Sequence, residues 1–247
     1  MIEPDWPAPA NVLALCTTRA GGFSAAPWDT LNLALHVGDQ PASVRANREC
    51  LQDHLPPATD IQWLSQVHGT AVVEACRGVP QPEADAVWSR LPGKACAVMT
   101  ADCLPLLLCS ERGDVVAAAH AGWRGLCDGV LEATVDAMGE APGDLLAWLG
   151  PAIGPQAFEV GPEVREGFLA ALQHAPEVAR CFVPSAGSPG HYLADIYGLA
   201  RYRLQRLGVS HVYGGGYCTF GDSERFFSYR RDGTTGRMAA LILILPG

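Results

Sequence analysis

An α/β fold of the mixed-sheet, α+β kind is the expectation for this chain, and three observations carry it. Short apolar runs with strand character recur along the whole length. Between them lie stretches whose apolar residues return at helical spacing. The two kinds are interleaved without the regular rhythm of a doubly wound parallel sheet, so strands of both directions are expected. No polar, linker-like stretch divides the 247 residues, and 1–247 reads as one domain.

Taken in order, 12–18 is the first expected strand. It runs into TRAGGFSAAPWDTLNL, where Gly21 and Gly22 permit a tight path. That segment is either a plain surface loop or a substrate loop presenting Arg19, Ser24 and Asn32. A helix is expected over 41–55, with Val44, Leu51 and Leu55 on its apolar stripe and Asn47 and Arg48 off it. A short strand at 61–64 leads to SQVHGTAVVEA, a strand–turn–strand junction that bends at Gly69. The proline-rich stretch 78–85 precedes strands at 86–88 and 94–99. Strands 104–109 and 115–119 then form a hairpin around a charged turn. After AGWRG, Leu126, Val130, Leu131, Val135 and Met138 mark one face of a single helix. Leu145–Leu149 is a strand, 163–173 and 194–207 are helices, and 209–213 is a strand. A glycine-rich loop, GGGYCTFGD, and an arginine-bearing hairpin, FFSYRRDGTTGR, precede the closing buried strand 238–245.

Charge and cysteine content narrow the function classes. The net charge of −9 and pI near 5.2 argue against nucleic acid or an anionic membrane surface as a standing partner. No apolar run approaches the ~20 residues of a membrane helix. The start, MIEPDWPAPA, has no basic region leading into an apolar core, so no signal peptide is expected. Nine cysteines occur without any CxxC pair, and Cys16, Cys96 and Cys109 sit in apolar settings where a thiol packs as a small hydrophobe. A reducing, cytoplasmic setting fits this usage.

The central hairpin carries the chemistry. Cys103 precedes its first strand and His120 follows its second, and these two ends lie together in an antiparallel pair. His68, beside the Gly69 bend, is the candidate third donor, giving H-x34-C-x16-H. Two imidazoles and a thiolate suit zinc with an open fourth position, and the same donors accept copper. Zinc there can generate hydroxide at neutral pH. Asp102 can orient a ligand histidine or act as a base. A cysteine activated by histidine is equally a nucleophile, so Cys103 with His120 or His68 also describes a cysteine hydrolase of amides or esters. Arg230, Arg231 and Arg237 cluster in sequence, and Arg19 and Arg124 lie in glycine-flanked loops; their guanidinium forks match phosphate or carboxylate. The helix N-terminus after His120 is a further anion seat.

The set TTRAGGFS, LNLALHVGD, VRANR, QVHG, TADCLPLLL, AHAGWRG, LGPAIGP and SYRRDGTTGR resembles the YfiH-like laccase-domain family, over 17–245 and in family order. The resemblance implies a layered α/β sandwich similar to the cytotoxic-necrotising-factor catalytic domain. It also implies a zinc site of His68, Cys103 and His120, the donors reached above. Asp102 joins these three as a catalytic candidate on its place beside Cys103. Substrate contacts are expected from Arg19, Asn47, Arg48, Gln66, Arg230 and Arg231. The family is associated with phosphorolysis of adenosine, inosine, guanosine and methylthioadenosine and with adenosine deamination, so purine nucleosides and phosphate are the expected partners. Its other associations are copper-dependent phenol oxidation and amide hydrolysis that edits a peptidoglycan precursor. Seven histidines without paired HxH spacing do not suit a four-copper laccase.

Overall fold

Two β-sheets lie face to face, and each covers its outer side with helix or loop. The computed structural model describes residues 1–76, 78 and 81–246, so part of the proline-rich stretch 78–85 lies outside the described residues. In chain order the first half comprises β1 (Val12–Cys16), α1 (Pro41–Gln52), β2 (Asp60–Gln62), β3 (Val72–Glu74), β4 (Ala86–Ser89), β5 (Lys94–Thr100), β6 (Leu104–Ser110) and β7 (Val116–Ala121). The second half comprises α2 (Trp123–Asp128), α3 (Val130–Met138), β8 (Leu145–Leu149), β9 (Glu159–Val160), α4 (Pro162–Ala171), α5 (Pro176–Arg180), β10 (Phe182–Pro184), β11 (Tyr192–Ala194), α6 (Ile196–Leu207), β12 (His211–Gly214), α7 (Tyr229–Asp232) and β13 (Met238–Ile244).

The larger sheet has the order β12-β8-β6-β7-β4-β3, and the smaller β1-β13-β5-β2. Both are mixed, as expected: β12–β8, β3–β4 and β2–β5 run parallel and the remaining pairs antiparallel. Every residue of β5, β6, β7, β8 and β13 is buried, which explains their continuous rather than alternating apolar composition. The period of two decides which core each residue joins. Cys96 and Val98 of β5 meet Leu107 and Cys109 of β6 between the sheets. Ala95, Ala97 and Met99 point outward to Leu51 of α1 and to Leu31 and Leu33 of the preceding loop. On the far side of the large sheet, Leu104, Leu106 and Leu108 pack against Leu131 and Val135 of α3 and Leu199 and Leu204 of α6. A small sheet, β10-β11-β9, closes that side.

Two expectations are corrected. The helix after AGWRG is broken: Gly129, at φ +104°, ends α2 and starts α3. That left-handed conformation crowds a Cβ against the following carbonyl and so suits glycine. The stretch 226–237 is not a hairpin. Ser228 caps the short helix α7 by accepting from the Arg231 N–H, so the arginines leave on a helical turn rather than on paired strands. Strands β9, β10 and β11 and helix α5 have no counterpart among the expected elements, being only two to five residues long and too short for a period to register. Elsewhere the differences lie at element ends: α1 stops at Gln52, and β7 extends through His120 to Ala121. No described helix is long and apolar enough to cross a membrane.

Candidate metal centre and its two hollows

Strand pairing builds the centre. In the β6–β7 ladder Pro105 faces His120 and Leu104 faces Ala121, which brings Cys103, one residue before β6, beside His120. The link 101–103 also carries the chain from the small sheet to the large one, so the thiol stands where the two sheets are bridged. His68 arrives from the loop before β3. One donor atom from each of His68, Cys103 and His120 lies within 4.8 Å of the others, and Cys103 Sγ is 3.8 Å from His68 Nε2. Donors around a tetrahedral zinc sit roughly 3.3–3.6 Å apart, given bonds of ~2.0 Å to nitrogen and ~2.3 Å to sulfur. The donor set therefore suits a single ion once the donors close by up to about 1.2–1.5 Å. Gly122 leaves the space: a Cβ there would stand 2.8 Å from the His68 ring and 3.1 Å from Cys103 Sγ.

The residue that organises this centre is Asp85, which sequence reasoning missed. It leads into β4, whose antiparallel ladder with β7 pairs Ala86 with Ala119 and so places Asp85 opposite His120. Its fully buried carboxylate accepts from His120 Nδ1 at 2.8 Å, leaving Nε2 to face the other donors. The same carboxylate accepts from the backbone N–H groups of Val67, His68 and Gly69. Those bonds hold His68 at φ +63°, an uncommon conformation for a non-glycine residue. Asp102, offered as the orienting group, is turned elsewhere: at φ +85° its carboxylate accepts from Thr219 Oγ1 and from the Arg230 N–H.

Electrostatics follow from this wiring. Burial pushes the Cys103 thiol up, but His120 and His68 outweigh it and bring its pKa to about 6. Burial pushes His120 down, while the Cys103 thiolate and Asp85 carboxylate raise it to about 9. The metal-free centre at neutral pH is thus a thiolate–imidazolium pair. Asp85 is pushed up by burial and then held below the usual carboxylate range by His120 and the backbone N–H groups.

A cavity of about 410 Å³ opens on the centre, lined also by His36, Gln66, Thr100, Tyr229 and Arg237. Gln66 spends its amide on Met99, donating to the carbonyl and accepting from the N–H, so it shapes the wall. Of the other expected substrate contacts, Arg230 lines a smaller adjoining hollow of about 150 Å³ with Asp102. Asn47 is fully buried and binds the 23–32 loop, where Ser24 and Asn32 are likewise tied to Asp39. Arg48 donates to the Leu33 carbonyl and lies 4.2 Å over Trp63. Arg19 clamps Asp29 and the Ser223 carbonyl. Arg231 is consumed by the carbonyls of Thr219, Phe220 and Phe226 and by Asp232. Among the described residues, the guanidinium that lines the larger cavity with all three donors is that of Arg237, noted in sequence only as one of a cluster.

The family described as multi-copper polyphenol oxidoreductase laccase matches residues 13–245. The chain belongs to that family. Among the described residues of this laccase-family member a single donor cluster of the metal-binding kind forms, the His68–Cys103–His120 set. Its relatives include a purine nucleoside phosphorylase of Pseudomonas aeruginosa, 58% identical, with 98% of this chain and 97% of the relative covered. The purine nucleoside phosphorylase YfiH of Escherichia coli is 52% identical, with 99% of each covered. Among solved structures, a Neisseria meningitidis protein superposes with a TM-score of 0.93 at 50% identity over 99% of both chains. YlmD of Geobacillus stearothermophilus gives 0.88 at 34% identity, over 97% of this chain and 94% of its own.

Proposed function

We propose that this protein is a zinc-dependent purine nucleoside phosphorylase, a transferase acting on adenosine, inosine, guanosine and methylthioadenosine. The observation that carries this reading is the His68–Cys103–His120 cluster facing the same cavity as the Arg237 guanidinium: a metal centre and an anion anchor share one volume. The names of the Pseudomonas and Escherichia relatives support it.

In phosphorolysis an oxygen of phosphate bonds to C1′ of the ribose while the C1′–N9 bond breaks. The electron pair leaves with the base, which takes up a proton, and ribose 1-phosphate remains. Arg237, fixed through Nη1 to the carbonyls of Thr235 and Gly236, is the group that anchors phosphate. His36, held below the usual imidazole range by burial and by Arg237 and Arg48, faces that anion as a neutral hydrogen-bonding group. Zinc in the His–Cys–His set, or copper in its place, supplies a Lewis acid for polarising a substrate atom. Asp85 keeps both histidines aimed, and the Gln66 amide keeps the wall rigid. The nine free cysteines support a reducing compartment, the cytoplasm, and we read 1–247 as one catalytic unit because the cavity at the centre is lined from both sheets.

The thiolate held between two imidazoles favours one competing reading, a cysteine amidase with Cys103 as nucleophile. One experiment separates them: metal content of the purified protein, with adenosine turnover measured with and without phosphate, before and after chelation. About one zinc per chain and phosphate-dependent release of adenine, lost on chelation, is the expected result. Inosine formed without phosphate assigns deamination to the same centre. Turnover of neither kind in metal-loaded protein overturns the nucleoside reading and leaves the amidase.

A further inference from the structure

The smaller hollow lies on the other side of the 101–103 link. Its walls are apolar and aromatic: Trp123 of α2, Ile153 and Phe158 from the segment after β8, and Ile196 at the start of α6. Ile153, Phe158 and Ile196 are buried core residues, so packing presets the shape. Ala101, Cys103 and Tyr229 line both hollows, which therefore adjoin at the cysteine of the metal centre. Their chemistry differs. The larger presents Arg237, His36 and the two ligand histidines; the smaller presents rings and aliphatic side chains with Asp102 and Arg230.

We infer that the smaller hollow seats the purine base, with the ribose crossing at Cys103 and phosphate held on the Arg237 side. This rests on the phosphorylase reading above. The substrates divide the same way as the two hollows. A flat aromatic base gains by leaving water for apolar walls, whereas phosphate needs a cation. The bond to be broken joins base to ribose, so it belongs at the junction, where Cys103 stands. The polar groups of the smaller hollow are rigid as well. Asp102 is fixed by Thr219 and the Arg230 N–H, yet a carboxylate so engaged keeps lone pairs for an N–H of the base. Arg230 is tied through Nη1 to the Glu159 carbonyl, and its guanidinium lies 5.7 Å over the Phe158 ring. One acceptor and one donor among apolar walls suit both 6-amino and 6-oxo purines.

The test is calorimetric binding of free adenine and of inorganic phosphate, separately, to metal-loaded full-length protein. Trp123→Ala and Phe158→Ala are expected to weaken adenine about tenfold or more and to leave phosphate within about twofold. Arg237→Met is expected to do the reverse. Phe158 is buried and its truncation risks the fold, so photolabelling of the unaltered protein with 8-azidoadenine provides a second arm. Label on peptides containing Trp123 or Phe158 supports the assignment. Label confined to peptides of His36 or Gln66, adenine affinity indifferent to Trp123→Ala, or no adenine binding at all overturns it. The phosphorylase reading fails separately: protein that seats adenine in this hollow but releases no base from nucleosides with phosphate refutes that reaction, while turnover with label elsewhere refutes only the seat.

Discussion

Asp85 shows how one buried carboxylate governs a centre it does not enter. Four hydrogen bonds converge on it, three from backbone N–H groups of the His68 loop and one from His120. Asp85→Asn keeps the volume but turns an NH2 toward donors, so metal affinity should fall about 10–100-fold, as read by competition with a chromophoric chelator. Because its folded pKa is depressed, Asp85 contributes stability that is complete above the unfolded value of ~3.9 and is lost as pH falls through the folded pKa. Denaturant unfolding of metal-free protein between about pH 2 and 6 should therefore show a flatter acid limb in Asp85→Asn than in the wild type. The ligands set a second pH dependence. With Cys103 near 6 and His120 near 9, a metal must displace the His120 proton at neutral pH. Zinc loading near pH 7.5 should release about one proton per chain from this pair, and affinity should fall on acidification, as measured by titration in weakly buffered solution.

At the scale of elements, two glycines let α2 approach the centre. Gly122 faces the donors, and a Cβ on Gly125 would stand 2.6 Å from the Gly69 carbonyl. Gly122→Ala should lower zinc stoichiometry in purified protein, with an overpacking cost of about 1–3 kcal/mol. Gly129 is different, since a Cβ there meets nothing closer than 3.6 Å and the penalty lies in φ +104° alone. Gly129→Ala should cost about 1–2 kcal/mol, a fall of about 2–8 °C in Tm on thermal melting, with metal content unchanged. The glycines were visible in sequence; their separate duties were not. Helical spacing of Leu126, Val130, Leu131, Val135 and Met138 continues across Gly129, and only its backbone angle reveals the break.

For the whole molecule, the donors come from the His68 loop, the link before β6 and the end of β7, so a bound ion cross-links segments far apart in the chain. Chelation should lower Tm, and the shift should grow with the logarithm of free zinc when metal is restored, as followed by scanning calorimetry. Much of this architecture is written in the chain. Apolar runs long enough to be buried on both faces announced the central strands, and the hairpin rule brought Cys103 to His120 from spacing alone. The arginines show the opposite case. Arg19, Arg48 and Arg231 look in sequence as free to bind phosphate as Arg237 does, yet each is held by backbone carbonyls and none lines the larger cavity, whereas Arg237, although its Nη1 also binds two carbonyls, does. Asp85 and the apolar hollow were hidden for the same reason. The mixed-sheet class and the meeting of Cys103 with His120 were legible in the chain because strand period and hairpin geometry act between near neighbours, whereas the layering, and His68 as more than a candidate third donor, came with the family resemblance. Which arginine lines the cavity, and which walls face the donor cluster, emerged only in three dimensions, because those depend on partners brought together when the two sheets close.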